Sequence, residues 1–150
     1  MIRVVMICTG NICRSPSAEA VLRAKVAKAG LSDQILVASG GLAGWHAGGD
    51  ADPRSLAALS DRGYELEHRA RHFQIRWFDD YEIFVAMDTG HFTELRSLGP
   101  HAEVRLLREW DPQGNGNVPD PYYDDDGFDE VLDMIERSCD GLLAELRARI

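Results

Sequence analysis

Nine consecutive residues, Cys8-Thr9-Gly10-Asn11-Ile12-Cys13-Arg14-Ser15-Pro16, carry side chains and backbone fit for covalent chemistry on an anion. They follow the apolar run Val4-Val5-Met6-Ile7 and open a segment that reads as a helix. Gly10 and Asn11 tolerate the left-handed backbone that a tight loop demands. Pro16 suits a first helical turn, where its missing N–H would have no intrahelical partner anyway. Such a loop turns successive N–H groups inward as an anion nest, backed by a helix N-terminus. Arg14 adds a planar fork that matches two phosphoryl oxygens. Cys8 falls at the floor of the nest, where amide dipoles and the guanidinium favour its thiolate. A nucleophile at the centre of an anion receptor points to phosphoryl or related oxyanion transfer. A bare Cys-x5-Arg match would fit a buried cysteine before an ordinary glycine turn. The strand before it, Gly-Asn within it and Ser-Pro after it set this one apart.

Two other phosphate motifs fail. No G-x-x-x-x-G-K-[ST] occurs, and Gly40-Gly41-Leu42-Ala43-Gly44 has the wrong spacing for a dinucleotide loop.

A thiolate mechanism also needs an acid for the departing oxygen and then a base for water. Asp120, in Asp120-Pro121-Tyr122-Tyr123, is the strongest candidate, on a long loop from about Arg108 to Asp126. Pro121 would stiffen the aspartate's approach, and the two tyrosines would wall an apolar cleft. Taken alone, Asp-Pro reads as a turn and the tyrosines as packing; the coincidence with the cysteine loop lifts them. The adjacent Asp124-Asp125-Asp126-Gly127 fails a calcium-loop template at Tyr122 and Asp133, and reads as a solvated helix N-terminus. No His/Cys grouping has zinc spacing, so neither metal nor cofactor is expected.

The elements that must position these residues alternate. Strands are predicted at Arg3–Cys8, Ile35–Ser39, Glu82–Met87 and Glu103–Leu107. Helices are predicted at Ser17–Ala29, Pro53–Arg62, Gly90–Leu98 and Phe128–Ile150, with a weaker piece near Arg71–Phe78. On the last helix Phe128, Val131, Leu132, Ile135, Cys139, Leu142, Leu143 and Leu146 trace one apolar face. Alternation of this kind gives right-handed βαβ units, an α/β fold and a parallel sheet. Ligands then bind where strands end, just after Cys8, Ser39, Met87 and Leu107.

The 150 residues, 45% hydrophobic and 27% charged, suit one domain spanning 1–150 with a real core. No apolar run approaches the ~20 residues of a membrane span. Met1–Cys8 lacks the long apolar stretch and cleavage site of an export signal, and the three cysteines are odd in number. A reducing cytoplasm is the expected location. Sixteen Lys+Arg against 25 Asp+Glu give a net charge of −9, which argues against nucleic acid and anionic membranes as partners. The charge is uneven: +4 over residues 1–30 and −6 over residues 121–150. The acid around Asp120 would favour substrates with basic flanks.

Over essentially its full length the chain resembles the bacterial low-molecular-weight protein tyrosine phosphatases. The matching pieces are Cys8 to Pro16, Ser39-Gly40-Gly41, Trp45-His46, His68-Arg69-Ala70-Arg71, Ala86-Met87-Asp88 and Asp120 to Tyr123. The resemblance implies a four-stranded parallel sheet in the order 2-1-3-4, flavodoxin-like, and metal-free hydrolysis of phosphotyrosine in signalling. It makes Cys8 the nucleophile, Asp120 the acid and base, and Arg14 with the loop amides the clamp on the phosphoryl oxygens. Substrate would be held by Thr9, Gly10, Asn11, Ile12, Cys13, Ser15, Trp45, Tyr122 and Tyr123. The Ser15 hydroxyl would stabilise departing Cys8, while Asn11, Ser39 and His68 would prop the loop and Asp88 would support it. The implied partners are tyrosine-phosphorylated proteins, a bacterial tyrosine kinase or its substrates, met by a monomer or weak homodimer.

The chain departs from the family pattern at two places. Many bacterial relatives carry Ser-Ala-Gly-Thr at Ser39-Gly40-Gly41-Leu42, and Gly-His at Glu67-His68. The altered loop from Leu42 to Asp50 bears on selectivity rather than chemistry. Cys13 is read either as a reversible disulfide partner of Cys8 or as a packing residue, and Cys139 as inert core. Two rival activities share the loop. Phosphoarginine hydrolysis goes with Thr where this chain has Ile12, and arsenate reduction needs resolving cysteines, absent between Cys13 and Cys139. A flavodoxin-like binding module would leave Cys8, Arg14 and Asp120 together without a reason.

Overall fold

The run Val4-Val5-Met6-Ile7 forms the middle of strand β1 (Ile2–Cys8), and all four side chains are buried. The computed structural model describes residues 1–114 and 116–150. β1 pairs with β2 (Ile35–Gly41) on one side and β3 (Ile83–Ala86) on the other, with β4 (Glu103–Leu106) beyond β3. All pairs are parallel, in the order β2-β1-β3-β4 that the resemblance implies. The period-2 alternation of a strand splits β1 between two cores. Val4 and Met6 pack with Val21 and Leu22 of α1 (Arg14–Lys28) and Ile135 and Leu142 of α5 (Phe128–Ala148). Val5 and Ile7 face the opposite side, with Phe73, Trp77, Phe84 and Leu95. A strand covered on both faces needs this continuous apolar run.

Between these lie α2 (Pro53–Asp61), α3 (Trp77–Asp80) and α4 (Thr89–Leu98). Two 3-10 turns, Leu107–Trp110 and Pro121–Tyr123, were not expected from the sequence. The helix predicted near Arg71–Phe78 is corrected to the single turn α3. The segment before it is extended, because its backbone has an open strand edge to pair with. The Gly41 N–H donates to the Arg71 carbonyl (2.8 Å), and the Phe73 N–H to the Gly41 carbonyl (2.8 Å). Helix α1 starts at Arg14, three residues earlier than predicted.

Gly40, one of the departures noted above, has a structural reason. A Cβ there would lie 2.3 Å from the indole ring of Trp77, which is buried against the sheet. Gly41 is constrained differently, since its Cβ would come 2.7 Å from the Thr9 carbonyl oxygen.

The acidic last helix is largely tied down. Asp129, Asp133 and Glu136 meet Arg62, Asp140 meets Lys25, and Glu145 meets Arg105 and Arg149. Such exposed pairs contribute little stability each, but they take those carboxylates out of any free acidic field. Among the described residues no helix is long and apolar enough to cross a membrane.

Candidate active site

The site assembles at the carboxyl end of the sheet, where β1 and β3 release their chains in different directions. The Cys8 side chain is 2% exposed and its Sγ has two polar neighbours, the Ser15 hydroxyl at 2.9 Å and the Asn11 N–H at 3.3 Å. Among the described residues, the N–H groups of Gly10, Ile12 and Cys13 have no acceptor. Those of Arg14 and Ser15 open α1, where no intrahelical acceptor exists. These donors lie in the loop that follows the nucleophile and are without a protein acceptor, as an anion nest requires.

Asn11 holds the loop in shape. Its φ is +58°, a left-handed conformation that asparagine tolerates better than most residues. The Arg71 N–H donates to Asn11 Oδ1 (2.8 Å), so the amide presents Nδ2 to Ser15 Oγ (2.8 Å) and Ser39 Oγ (2.9 Å). Both hydroxyl oxygens thus accept from the amide and keep their own protons to donate. Ser39 donates to Glu19 (2.6 Å), and Ser15 has Cys8 Sγ at 2.9 Å and the Gly40 carbonyl at 3.4 Å within reach, the sulfur being the nearer. His68 Nε2 lies 2.7 Å from the Asn11 carbonyl. Asn11, Ser39 and His68 are therefore brought together as the sequence reading placed them. Glu19 completes the chain and was missed; a lone acid inside a helix carries no signal of it.

Arg14 is 4% exposed and clamped from below. Its Nη1 donates to Asp88 Oδ2 (2.9 Å) and the Val118 carbonyl (3.0 Å), and its Nη2 lies 3.6 Å from Asp120 Oδ2. Burial works to raise the Asp88 carboxyl. The His91 N–H and the Arg14 guanidinium outweigh it and hold the group below the usual carboxylate range. Val118 explains how a residue so distant in sequence reaches the site. Its N–H docks on the Met87 carbonyl (2.8 Å) at the end of β3, and its side chain is fully buried. Pro119 and Asp120 then emerge at the rim, where Asp120 Oδ1 accepts the Tyr122 N–H (3.0 Å).

The cleft above Cys8 encloses about 350 Å³. Thr9, Gly10, Ile12, Cys13, Arg14, Trp45, Asp120, Tyr122 and Tyr123 line it as anticipated, and His46 joins them. Two residues expected to touch substrate do not line it. Asn11 and Ser15 are fully buried, their side chains spent beneath the loop. Trp45 and Tyr123 are the most open of the walls, at 78% and 88% exposure. Cys13 is a free thiol, pushed up to about 12 by burial and then by the Asp52 carboxylate. Cys139 is buried in the main core and is likewise pushed up to about 12.

His91 was also missed. Its Nε2 lies 2.8 Å from Thr9 Oγ1, and its N–H caps onto Asp88 Oδ1 (2.9 Å). Nδ1 faces the same carboxylate at 3.2 Å without hydrogen-bond alignment. Burial first, with Arg14 adding to it, outweighs Asp88 and Asp120 and lowers the imidazole to about 4. A histidine neutral when folded but near 6.5 when unfolded contributes stability that is full above pH 6.5 and lost as pH falls toward 4. Urea unfolding should lose up to about 3 kcal/mol across that window. His91→Gln should flatten the upper part, between the histidine and carboxylate ranges; an unchanged slope there would assign the loss elsewhere.

A family model described as low molecular weight phosphotyrosine protein phosphatase matches residues 3–150. A low molecular weight protein-tyrosine-phosphatase of Streptomyces coelicolor is 51% identical, covering 99% of this chain and 95% of that protein. Among solved structures, a protein tyrosine phosphatase from Entamoeba histolytica superposes with a TM-score of 0.95 at 29% identity, over 99% and 98% of the two chains. A Drosophila arginine phosphatase superposes with a TM-score of 0.86 at 30% identity, over 97% of each.

Proposed function

Because the chain belongs to the low molecular weight phosphotyrosine protein phosphatase family, we propose that it hydrolyses phosphotyrosine in proteins, and small aryl phosphates, through a cysteinyl-phosphate intermediate. The observation that carries this is Cys8 Sγ set between the Ser15 hydroxyl and the Asn11 N–H, with Arg14 and Asp120 paired at the same cleft. In the first step the Cys8 thiolate attacks phosphorus, the S–P bond forms and the P–O bond to the ring breaks. Asp120 gives its proton to the departing phenolic oxygen. Arg14 and the free loop amides bear on the phosphoryl oxygens, where charge builds in the transition state. In the second step Asp120 takes a proton from water as that water attacks phosphorus. The P–S bond breaks, and the thiolate leaves into the hydrogen bonds of Ser15 and Asn11. The positive charge needed is supplied by Arg14 and the amides, so the scheme calls for no metal.

Arginine phosphatase activity is the second reading, favoured by the likeness to the Drosophila enzyme. Ile12, Trp45 and Tyr122 argue against it, since their apolar faces suit a phenol ring better than a guanidinium. Matched peptides bearing phosphotyrosine, phosphoserine or phosphoarginine separate the readings. The kcat/KM for phosphotyrosine should exceed the others by at least about tenfold, the scale of one apolar contact surface gained or lost. Equal values for phosphotyrosine and phosphoarginine would remove the tyrosine assignment. The partners on this reading are tyrosine-phosphorylated proteins, including a bacterial tyrosine kinase or its substrates. With it goes the proposal of a monomer or weak homodimer in the cytoplasm.

A further inference from the structure

Arg54 stands outside the cleft, in the first turn of α2, and its guanidinium reaches across to the segment that carries Asp120. Nε and Nη2 bind the two oxygens of Asp52 (3.0 and 2.9 Å), the residue that caps α2. Nη2 also donates to the Tyr122 carbonyl (2.9 Å), and Nη1 meets Asp125. The same guanidinium sits 4.8 Å from the centre of the Phe128 ring and 5.7 Å from that of Tyr122. On the other side, the Asp52 N–H donates to the Ile12 carbonyl of the cysteine loop (2.8 Å). A continuous path thus runs from the cysteine loop through Asp52 and Arg54 to Tyr122.

Tyr122 is held at both ends of its backbone. Its N–H caps Asp120 Oδ1, and its carbonyl is bound by Arg54. In the turn Pro121–Tyr123, Pro121 is buried and its carbonyl accepts the Asp124 N–H (2.9 Å), while Tyr122 and Tyr123 are exposed and leave Arg54 as the side chain that grips the Tyr122 backbone from α2. We propose that Arg54 is a positioning residue for proton transfer, fixing Asp120 at the distance from Cys8 that the departing phenolic oxygen requires. This rests on the phosphatase reading above. A planar fork with three engaged nitrogens suits the task, and an ammonium would reach one partner at a time. Misplacing a catalytic group by about an ångström costs on the order of 10²-fold, which sets the ceiling for losing the latch.

The test is a series of aryl phosphates whose leaving phenols range from very acidic to weakly acidic, assayed with wild type, Arg54→Met, Asp125→Asn and Asp120→Asn. A good leaving group departs without a proton, and a poor one needs Asp120. Arg54→Met should lose about tenfold or more in kcat on the poorest leaving group and at most about twofold on the best, giving a steeper dependence on phenol pKa. Asp125→Asn removes one leg and should steepen it less; Asp120→Asn marks the limit. Inhibition by inorganic phosphate should stay unchanged in Arg54→Met, because the cysteine loop is intact. A uniform loss across all leaving groups, or lost stability with an unchanged slope in both Arg54→Met and Asp125→Asn, would overturn the assignment. Failure of wild type to hydrolyse any aryl phosphate would instead sink the phosphatase reading.

Discussion

Cys8→Ser is expected to abolish catalytic turnover while leaving the fold and the anion receptor in place. Serine is close to cysteine in size, and the site is buried and already lined by the Ser15 hydroxyl and the Asn11 N–H. The loss lies in the chemistry. An alcohol is a far weaker nucleophile than a thiolate, and a serine alkoxide is a poor leaving group in the second step. Phosphate release from an aryl phosphate should fall by at least about 10⁴-fold, in line with removal of a nucleophile elsewhere. Phosphotyrosine peptides should still bind, since Arg14, the amides and the aromatic walls remain. Substantial turnover by Cys8→Ser would end the cysteinyl-phosphate mechanism; lost peptide binding would show that the receptor depends on sulfur.

The second large effect belongs to Arg14. Arg14→Ala removes the fork and also undoes its own anchorage. Asp88 and the Val118 carbonyl lose a buried donor, and Asp120 loses the cation 3.6 Å away. One oxyanion donor is commonly worth 10²–10³ in rate, so kcat/KM should fall by about 10³-fold or more. Arg14→Lys should recover only a fraction, because an ammonium cannot span two phosphoryl oxygens while keeping Asp88 and Val118 satisfied. Competitive inhibition by inorganic phosphate reports the same loss without catalysis. If phosphate binds Arg14→Ala as tightly as wild type, the guanidinium is not the clamp.

What could be read from the sequence divides by range. Cys8, Gly10, Asn11, Arg14 and Pro16 lie within nine residues, so spacing alone carries their geometry. Val4 to Ile7 declared a strand covered on both faces because burial admits no polar side chain there. Asp120 was found through its Pro-Tyr-Tyr context and the chemical need for an acid. Val118, Glu19, His91 and Arg54 were not, because each acts through contacts with residues far along the chain, and none is an unusual residue type. Asn11 and Ser15 were assigned to substrate because they sit in the loop, and only the fold shows their side chains turned beneath it. The stretch 71–78, read as a weaker helical piece, was decided by an unpaired edge at Gly41 that local pattern does not show.

The Arg14 anchorage has a consequence for the order in which the protein is made. The nucleophile, the nest and the guanidinium leave the ribosome well before Asp88, Val118 and Asp120. Helix α5, which covers α1, comes later still. A nascent chain that has exposed Cys8 therefore carries a thiol with no fixed guanidinium, no acid and no finished core above it. Competence arrives when the later segments dock onto the cysteine loop and α1. The fold thereby ties completion of the site to the docking of segments made after the nucleophile.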